Sequence, residues 1–574
     1  MKKLIKFIRP YWWAALLAPL MMLMEVAADL IQPRLMASII DIGVANRDLA
    51  YVYSTGARMI GIAVLGLLGG TGATIFSCYA AQGYGKDLRG ELFSRVQSYS
   101  FAELDRFKTA SLITRLTNDV TQVQQIVMFS LRMLVRAPLL AIGGVFMALL
   151  INAGLASVLL ISLPLLSVAL ALIMGRSFPM FSTVQKKVDK LNSVMRENLA
   201  GVRVVKAFVR ADYERGRFAK SNDELTAIAL KANRLVGLTT PAMLLSLNIS
   251  MIAVLWFGGW KVQIGTMTVG EVMAFVNYLT QILMALQMVA HLMVMISRAK
   301  ASADRITEVL DVDSTIASPH QASAAVNGGR VDFEGVSFHY EGALGDPVLK
   351  DISLTVMQGS TLGILGATGS GKSTLVNLVP RFYDPTAGRV LIDGTDIRQM
   401  DLAGLRGSIG MVLQDSVLFT GTIRENLLWG KDDATDEEMF EAAMAAQAHD
   451  FVLALPEGYD TMVGQKGVNL SGGQKQRLAI ARALIRKPRI LILDDSTSAV
   501  DMGTEERLQA AIKERMGGMT TIIIAQRISS VMDADRIIVL EDGAVAADGN
   551  HRKLMAESAL YRDIVSSQLG EEAA

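Results

Sequence analysis

The sequence predicts a polytopic α-helical membrane domain of six spans fused to an α/β domain of phosphate-loop type. Three observations carry that reading. Charge-free apolar stretches fill much of the first 300 residues, short β-rich runs alternate with helical patterns from Arg330 onward, and a glycine-rich loop in the second part joins a strand to a helix. Composition agrees. Of 574 residues, 51% are hydrophobic and 19% charged, against roughly 25% charged in an ordinary soluble protein. The 56 basic and 55 acidic side chains leave a net charge of +1, so nothing in the balance argues for nucleic acid. Cys78 is the one cysteine, which excludes a disulfide framework or a cysteine metal site within this chain.

The spans follow from length. Met59 to Gly85 is 27 residues without a formal charge, Leu235 to Trp260 is 26, and Val272 to Ser297 is 26. Ala137 to Gly175 is 39 residues, enough for two crossings around Asn152-Ala153-Gly154, since about 20 apolar residues cross ~30 Å of hydrocarbon. Tyr11 to Ile40 supplies the remaining span and is apolar except for Glu25, Asp29 and Arg34. The basic start and Ala27-Ala28 imitate a secretory signal, but the apolar run continues beyond them, so an uncleaved first helix is expected.

Lysine and arginine set the orientation. Residues 82–126 carry six of them and residues 176–234 carry thirteen, whereas the connections on the opposite side carry only Arg47, Arg58 and Lys261. The amino terminus, both long loops and the carboxyl half are therefore expected in the cytoplasm, with the chain in the inner membrane. Leu112, Leu116, Val120 and Val123 in one loop, and Val188, Leu191, Val194 and Met195 in the other, keep helical spacing. The spans should continue as helices into the cytoplasm and reverse near Glu103–Arg106 and near Ala211–Glu214. The expected division is a membrane domain over 1–310, a linker over 311–329 that passes Gln321-Ala322-Ser323, and a nucleotide-binding domain over 330–574.

Gly366-Ala367-Thr368-Gly369-Ser370-Gly371-Lys372-Ser373, followed by Thr374, matches G-x-x-x-x-G-K-[ST] between the apolar strand Thr361 to Leu365 and a helix opening at Lys372. Glycines there let backbone N–H groups crowd around phosphates, with Lys372 aimed at the β/γ-phosphates and Ser373 at Mg²⁺. Ile490 to Asp494 reads as a buried strand ending in a carboxylate that can reach the same metal. Leu470-Ser471-Gly472-Gly473-Gln474 opens a helical run to Leu484, and a serine with bare glycine backbone at a helix N-terminus receives anions.

In this order, Gly366–Ser373, Gln414, Leu470–Gln474 and Asp494 resemble the ATP-binding cassette (ABC) ATPases, and the whole chain resembles an ABC exporter half-transporter. That resemblance implies ATP and Mg²⁺ as cofactors. It implies an adenine-stacking role for Tyr340, with an ordinary surface tyrosine as the alternative, and contact of Gln414 with Mg²⁺ and the attacking water. Asp501 would lie in the loop through which paired ATPase domains sense each other, and the two cytoplasmic reversals would be coupling helices. It also implies a dimer in which Ser471, Gly472, Gly473 and Gln474 cap the ATP held by a partner.

Two positions depart from the family. Asp495 stands where a glutamate normally polarises the hydrolytic water, and Gln526 stands where a histidine normally contacts the γ-phosphate. A shorter carboxylate is a misplaced base and forfeits much of a ~10²–10⁴-fold contribution. Glutamine donates a hydrogen bond but cannot carry a proton. Gln465 replaces a third family position, usually glutamate. The pattern resembles the degenerate-site subunit of heterodimeric multidrug exporters, whose partner half-transporter supplies the intact glutamate and histidine. The expected substrates are hydrophobic or amphipathic compounds. A lipid or glycolipid flippase, and a non-transporting ATP-dependent sensor, are the alternatives. No peptidase-like segment stands before the first span, so a peptide-processing exporter is not expected.

Glu25 and Asp29 lie four residues apart within the first span, on one helix face. Intramembrane carboxylates are costly and mark function by default. They either attract cationic substrates or pair with Arg132 and Arg136, themselves four apart. Met273, Met284, Met288, Met293 and Met295 in the sixth span offer either adaptable substrate contacts or plain packing.

Overall fold

The computed structural model describes residues 2–319, 326–343, 345–515 and 517–569. The expected linker positions Gln321–Ser323, and the side chain of Met293, lie outside them. Two compact units emerge, one of Met1–Arg95 with Ala110–Asp311 and one of Val96–Thr109 with Val312–Ala574.

The first unit is helical. Its principal helices are α1 (Trp12–Ser38), α2 (Leu49–Gln97), α4 (Val120–Ile151), α5 (Ala153–Ala200), α6 (Ala211–Gly237), α7 (Thr239–Gln263) and α8 (Val269–Asp311). Together they provide six stretches long and apolar enough to cross a membrane, with α6 and α7 forming one of them. At 1.5 Å per residue, α2 and α5 run about 70 Å, more than twice the hydrocarbon thickness. The helices therefore extend well beyond the bilayer, as the apolar spacing in the two basic loops predicts. Large side chains point outward over the apolar stretches, as Leu67, Ile142, Leu160 and Trp256 do, because lipid rather than water is the solvent there.

Inside the unit, small residues allow close helix approach. A Cβ on Gly69 of α2 would sit 2.8 Å from the Met21 carbonyl oxygen and the Glu25 nitrogen of α1. Tyr278 of α8 is fully buried and donates its hydroxyl to the Leu30 carbonyl at 2.6 Å. The second reversal differs from the sequence expectation. The chain leaves α5 at Gly201, forms a short helix Val202–Ala207, and turns through Val209 at φ 52°. Ala211–Glu214 is the first turn of the return helix instead. Asp212 and Glu214 look like loop polarity in sequence, but they suit the positive end of a helix.

In the second unit, α3 (Phe101–Phe107) is closed by a capping box between Ser100 and Glu103. Phe101 packs on Phe382 at 4.5 Å between ring centroids, and Asp105 accepts the Tyr383 hydroxyl at 2.7 Å. An antiparallel sheet joins β1 (Val331–Phe338), β2 (Leu349–Val356), β4 (Ala387–Ile392) and a two-residue strand, Thr395–Asp396, in the order β2-β1-β4-Thr395–Asp396. A six-stranded sheet comprises β3 (Thr361–Gly366), β5 (Ile409–Val412), β6 (Ile490–Asp494), β7 (Thr520–Ile524), β8 (Arg536–Glu541) and β9 (Ala544–Gly549). Its order is β9-β8-β3-β7-β6-β5, parallel except for β9 at the edge. Every residue of β6 and β7 is buried, which fits their mostly apolar sequence, broken only by Asp494, Thr520 and Thr521.

Gly69→Ala should destabilise the detergent-solubilised chain by about 1–3 kcal/mol, the usual cost of overpacking. Gly61→Ala is the control, because a Cβ there meets nothing within 4 Å and alanine favours a helix by ~1 kcal/mol. Thermal unfolding reads both; equal midpoints would contradict the packing account.

Candidate functional site

Parallel pairing places the carboxyl ends of three strands side by side: Ile524 of β7 is opposite both Ile364 of β3 and Asp494 of β6. Ligands of parallel α/β sheets bind beyond those ends. The loop after β3 carries Gly366 at φ 146°, Gly369 at φ 87° and Gly371 at φ 98°. A Cβ on Gly366 would sit 2.3 Å from the Leu540 carbonyl oxygen, and one on Gly371 2.8 Å from that of Val348, so neither position tolerates a side chain. The loop leads into α9 (Lys372–Leu378).

Lys372 Nζ donates to the Gly366 and Ala367 carbonyls at 2.9 and 2.7 Å, and Ser373 donates its hydroxyl to Asp494 at 3.0 Å. Gln526 Nε2 donates to Asp495 Oδ2 at 2.8 Å, and Gln414 Nε2 reaches the same oxygen at 3.5 Å. A cavity of about 230 Å³ collects Lys372, Ser373, Gln414, Asp494, Asp495 and Gln526. Tyr340 is half-buried, shares a hydrogen bond with Thr374 at 3.0 Å and meets Tyr383 edge-on. The donor set fits a magnesium nucleotide. Ser373 and Asp494 converge as hard oxygen ligands, and the buried Ser370 hydroxyl has no hydrogen-bond partner.

Burial pushes the Asp494 carboxyl above its usual range against the Ser373 hydrogen bond, and the neighbouring Asp495 charge adds to the rise. Burial likewise raises Asp495, against Lys372 and the Gln526 amide. Burial lowers Lys372, opposed by both carboxylates. Asp495 also sits at φ 47°, a left-handed conformation that aspartate tolerates better than most side chains.

The helix α10 (Gly472–Leu484) starts from Ser471, whose hydroxyl accepts from the Gln474 amide at 3.3 Å while Gln474 Oε1 accepts from the Ser471 amide at 2.9 Å. Gly473 is needed because a Cβ would come 2.9 Å from the Ala499 carbonyl oxygen. Gln476 accepts from the Ala499 amide at 3.1 Å, tying α10 to the loop that ends at Asp501. None of Ser471–Gln474 lines the phosphate-loop cavity. Gly472 belongs to a different hollow of about 460 Å³. Gln465 opens a short turn whose next residue, Lys466, has φ 54°.

The ABC transporter transmembrane region model matches residues 16–286, and the ABC transporter model matches residues 349–498. The chain is 43% identical over 572 residues to the uncharacterized ABC transporter ATP-binding protein YfiB of Bacillus subtilis, covering 100% of this chain and 99% of that protein. The chain belongs to the ABC exporters. It is also 35% identical to an ATP-dependent lipid A-core flippase of Syntrophus aciditrophicus, over 85% of this chain and 80% of that one. Among solved structures it matches a bacterial Atm1-family ABC exporter with ATP bound, at TM-score 0.81 and 28% identity, over 99% of each chain. This ABC half-transporter is thus a multi-pass inner-membrane protein with a cytoplasmic ATPase domain.

Sequence reasoning missed a residue that braces the site. Gln568 of α11 (Ala559–Leu569) donates to the Gln526 carbonyl and accepts from the Ile528 amide, both at 2.8 Å. No motif marks it, because the brace acts on backbone. In the membrane unit, Arg136 bridges Glu25 and Asp29, the latter at 3.0 Å. Arg132 makes no ion pair among the described residues and faces a cavity with both carboxylates. Met273 and Met284 are exposed on the helix surface.

Because Asp494 and Asp495 hold their protons more tightly folded than unfolded, stability falls as pH rises from the ordinary carboxyl pKa of about 3.9 through the raised folded values. Asp495→Asn removes one such group. Without nucleotide, this variant should unfold at a higher temperature than the unmodified chain at pH 7.5, with a flatter pH dependence above about pH 4. A lower unfolding temperature at pH 7.5 would contradict the assignment.

Proposed function

We propose that this chain is one half of a heterodimeric exporter of hydrophobic or amphipathic compounds, drug-like molecules among them, and that its own phosphate-loop site holds ATP but hydrolyses it slowly. The observation that carries this reading is the 2.8 Å hydrogen bond from Gln526 to Asp495. A catalytic base must keep a lone pair free for the attacking water. Here the carboxylate is short, and one of its oxygens is occupied by an amide that cannot relay a proton. Gln414 reaches that same oxygen at 3.5 Å, so both polar neighbours bear on one carboxylate oxygen.

The remaining groups support nucleotide binding. Lys372 would leave its two carbonyls for the β/γ-phosphates, the loop amides would cradle them, and Tyr340 would stack on the base. Mg²⁺, held by Ser373 and Asp494 with Gln414, supplies neutralisation of the charge that develops on the phosphoryl oxygens. Ser471 and the first amides of α10 serve a second ATP, held by the partner half-transporter. That partner brings the glutamate and histidine this chain lacks. Lipid flipping on the same scaffold is the second reading, supported by similarity to the lipid A-core flippase.

The purified chain alone should bind a fluorescent ATP analogue and turn ATP over slowly. Asp495→Glu combined with Gln526→His should raise the rate by about 10–100-fold, the lower part of the general-base range, and Lys372→Ala should abolish it. Rapid turnover by the unmodified chain, or no gain in the double variant with binding retained, would overturn the slow-site reading.

A further inference from the structure

Gln526 is held from behind by a residue outside every nucleotide motif. β7 ends at Ile524, and the chain runs through Ala525, Gln526 and Arg527 into a single 3-10 turn, Ile528–Ser530. The first amides of such a turn find no partner within it, and the Arg527 side chain supplies no cap. Gln568 of α11 fills that gap. Its Oε1 accepts from the amide of buried Ile528 while its Nε2 donates to the Gln526 carbonyl, both at 2.8 Å. One planar side-chain amide thus bonds the backbone on both sides of Arg527. It fixes the direction of the Gln526 carbonyl, and with it the backbone from which the Gln526 side chain leaves.

α11 is a firm support for this contact. Tyr561, Val565 and Gln568 follow one another at four and three residues, hence on one helix face. Tyr561 and Val565 are fully buried, and the Tyr561 hydroxyl shares a hydrogen bond with His551 Nδ1 at 2.7 Å. Between α11 and the phosphate loop lies a hollow of about 440 Å³, lined by Ile564, Gln568, Gln526 and residues 366–370 among others. On that side, hydrogen bonds rather than packed side chains set the position of Gln526.

The Gln526 side chain points the other way, into the cavity with Lys372 and Ser373. Its Nε2 carries two N–H donors. One goes to Asp495 at 2.8 Å, and the second is available in the space where Lys372 would meet the β/γ-phosphates. Gln568 itself does not line that cavity.

We propose that Gln568 is a positioning residue: its two backbone hydrogen bonds hold Gln526 where the Gln526 amide bridges Asp495 and the γ-phosphate of bound ATP. Gln568 thereby sets the preference of this site for a triphosphate over a diphosphate without touching either. This rests on the reading of the phosphate-loop site as an ATP site and adds the residue that tunes its choice between ATP and ADP.

The test uses the full chain in detergent with Mg²⁺. Fluorescent trinitrophenyl-ADP is displaced by ADP or by the non-hydrolysable imido analogue of ATP, so turnover plays no part. Gln568→Leu should weaken the ATP analogue by about tenfold, the scale of one hydrogen bond to a charged group, and ADP by less than about twofold. Gln568→Glu keeps the acceptor for Ile528 but sets a carboxylate against the Gln526 carbonyl, and should show the same selective loss. Gln526→Ala should reproduce it, and adding either Gln568 variant to Gln526→Ala should cost nothing further, because the effect runs through Gln526. Equal weakening of both nucleotides in both Gln568 variants, no change in either nucleotide, no selective loss in Gln526→Ala, or an added loss in that background would overturn the proposal. If Gln568→Leu fails to fold, Gln568→Glu is read by the same criteria. Rapid ATP turnover by the unmodified chain with these ratios intact would defeat the slow-site reading and leave this one standing.

Discussion

The parallel register of β3, β7 and β6 is the constraint from which the nucleotide site follows. Because Ile524 pairs with Ile364 on one side and Asp494 on the other, β7 and β6 end at one level with β3 running two residues further to Gly366, and the residues after all three meet in one space. The phosphate loop, the Asp494-Asp495 pair and Gln526 all depend on that alignment. Both faces of β6 and β7 are buried, so a one-residue slip would exchange the side chains that each face packs against its neighbours. The core thus fixes the geometry at its own edge.

At that edge, electrostatics and conformation oppose stability. Two adjacent carboxyls are buried together, one in a left-handed backbone conformation. Such concentrations of strain and unfavourable charge are characteristic of sites built for a ligand. Lys372 and the hydrogen bonds from Ser373 and Gln526 offset part of the cost in the free chain. The same Gln526–Asp495 bond that eases the burial also occupies one oxygen of the carboxylate, which is the contact on which the proposed slow site rests. A site relaxed in this way is suited to holding nucleotide. The capping box at Ser471 and Gln474 is intact, so on the proposed reading only the phosphate-loop half of the domain is slow.

Much of this was legible in the sequence because it rests on local or strongly periodic signals. Charge-free runs marked the spans, and glycine spacing marked the phosphate loop. The apolar run before Asp494 marked the central strand. What escaped depends on contacts between distant residues or on backbone. Nothing distinguishes Arg136 from Arg132 in sequence, yet only Arg136 reaches Glu25 and Asp29. Gln568 braces Gln526 from the carboxyl end of the chain through main-chain groups that leave no side-chain pattern. Asp212 and Glu214 suggested a reversal, but acidic residues serve a helix start equally well, and Gly201 and Val209 carry the break instead.

The central claim is that the two halves of this ATPase domain serve different nucleotides. Steady-state ATPase activity of the chain co-purified with its partner half-transporter tests it most directly, comparing Ser471→Arg with Asp495→Asn. Losing a donor at a developing oxyanion costs about 10²–10³-fold, so Ser471→Arg should nearly abolish activity of the complex while Asp495→Asn leaves most of it. Equal losses, or a greater loss from Asp495→Asn, would contradict the division of labour.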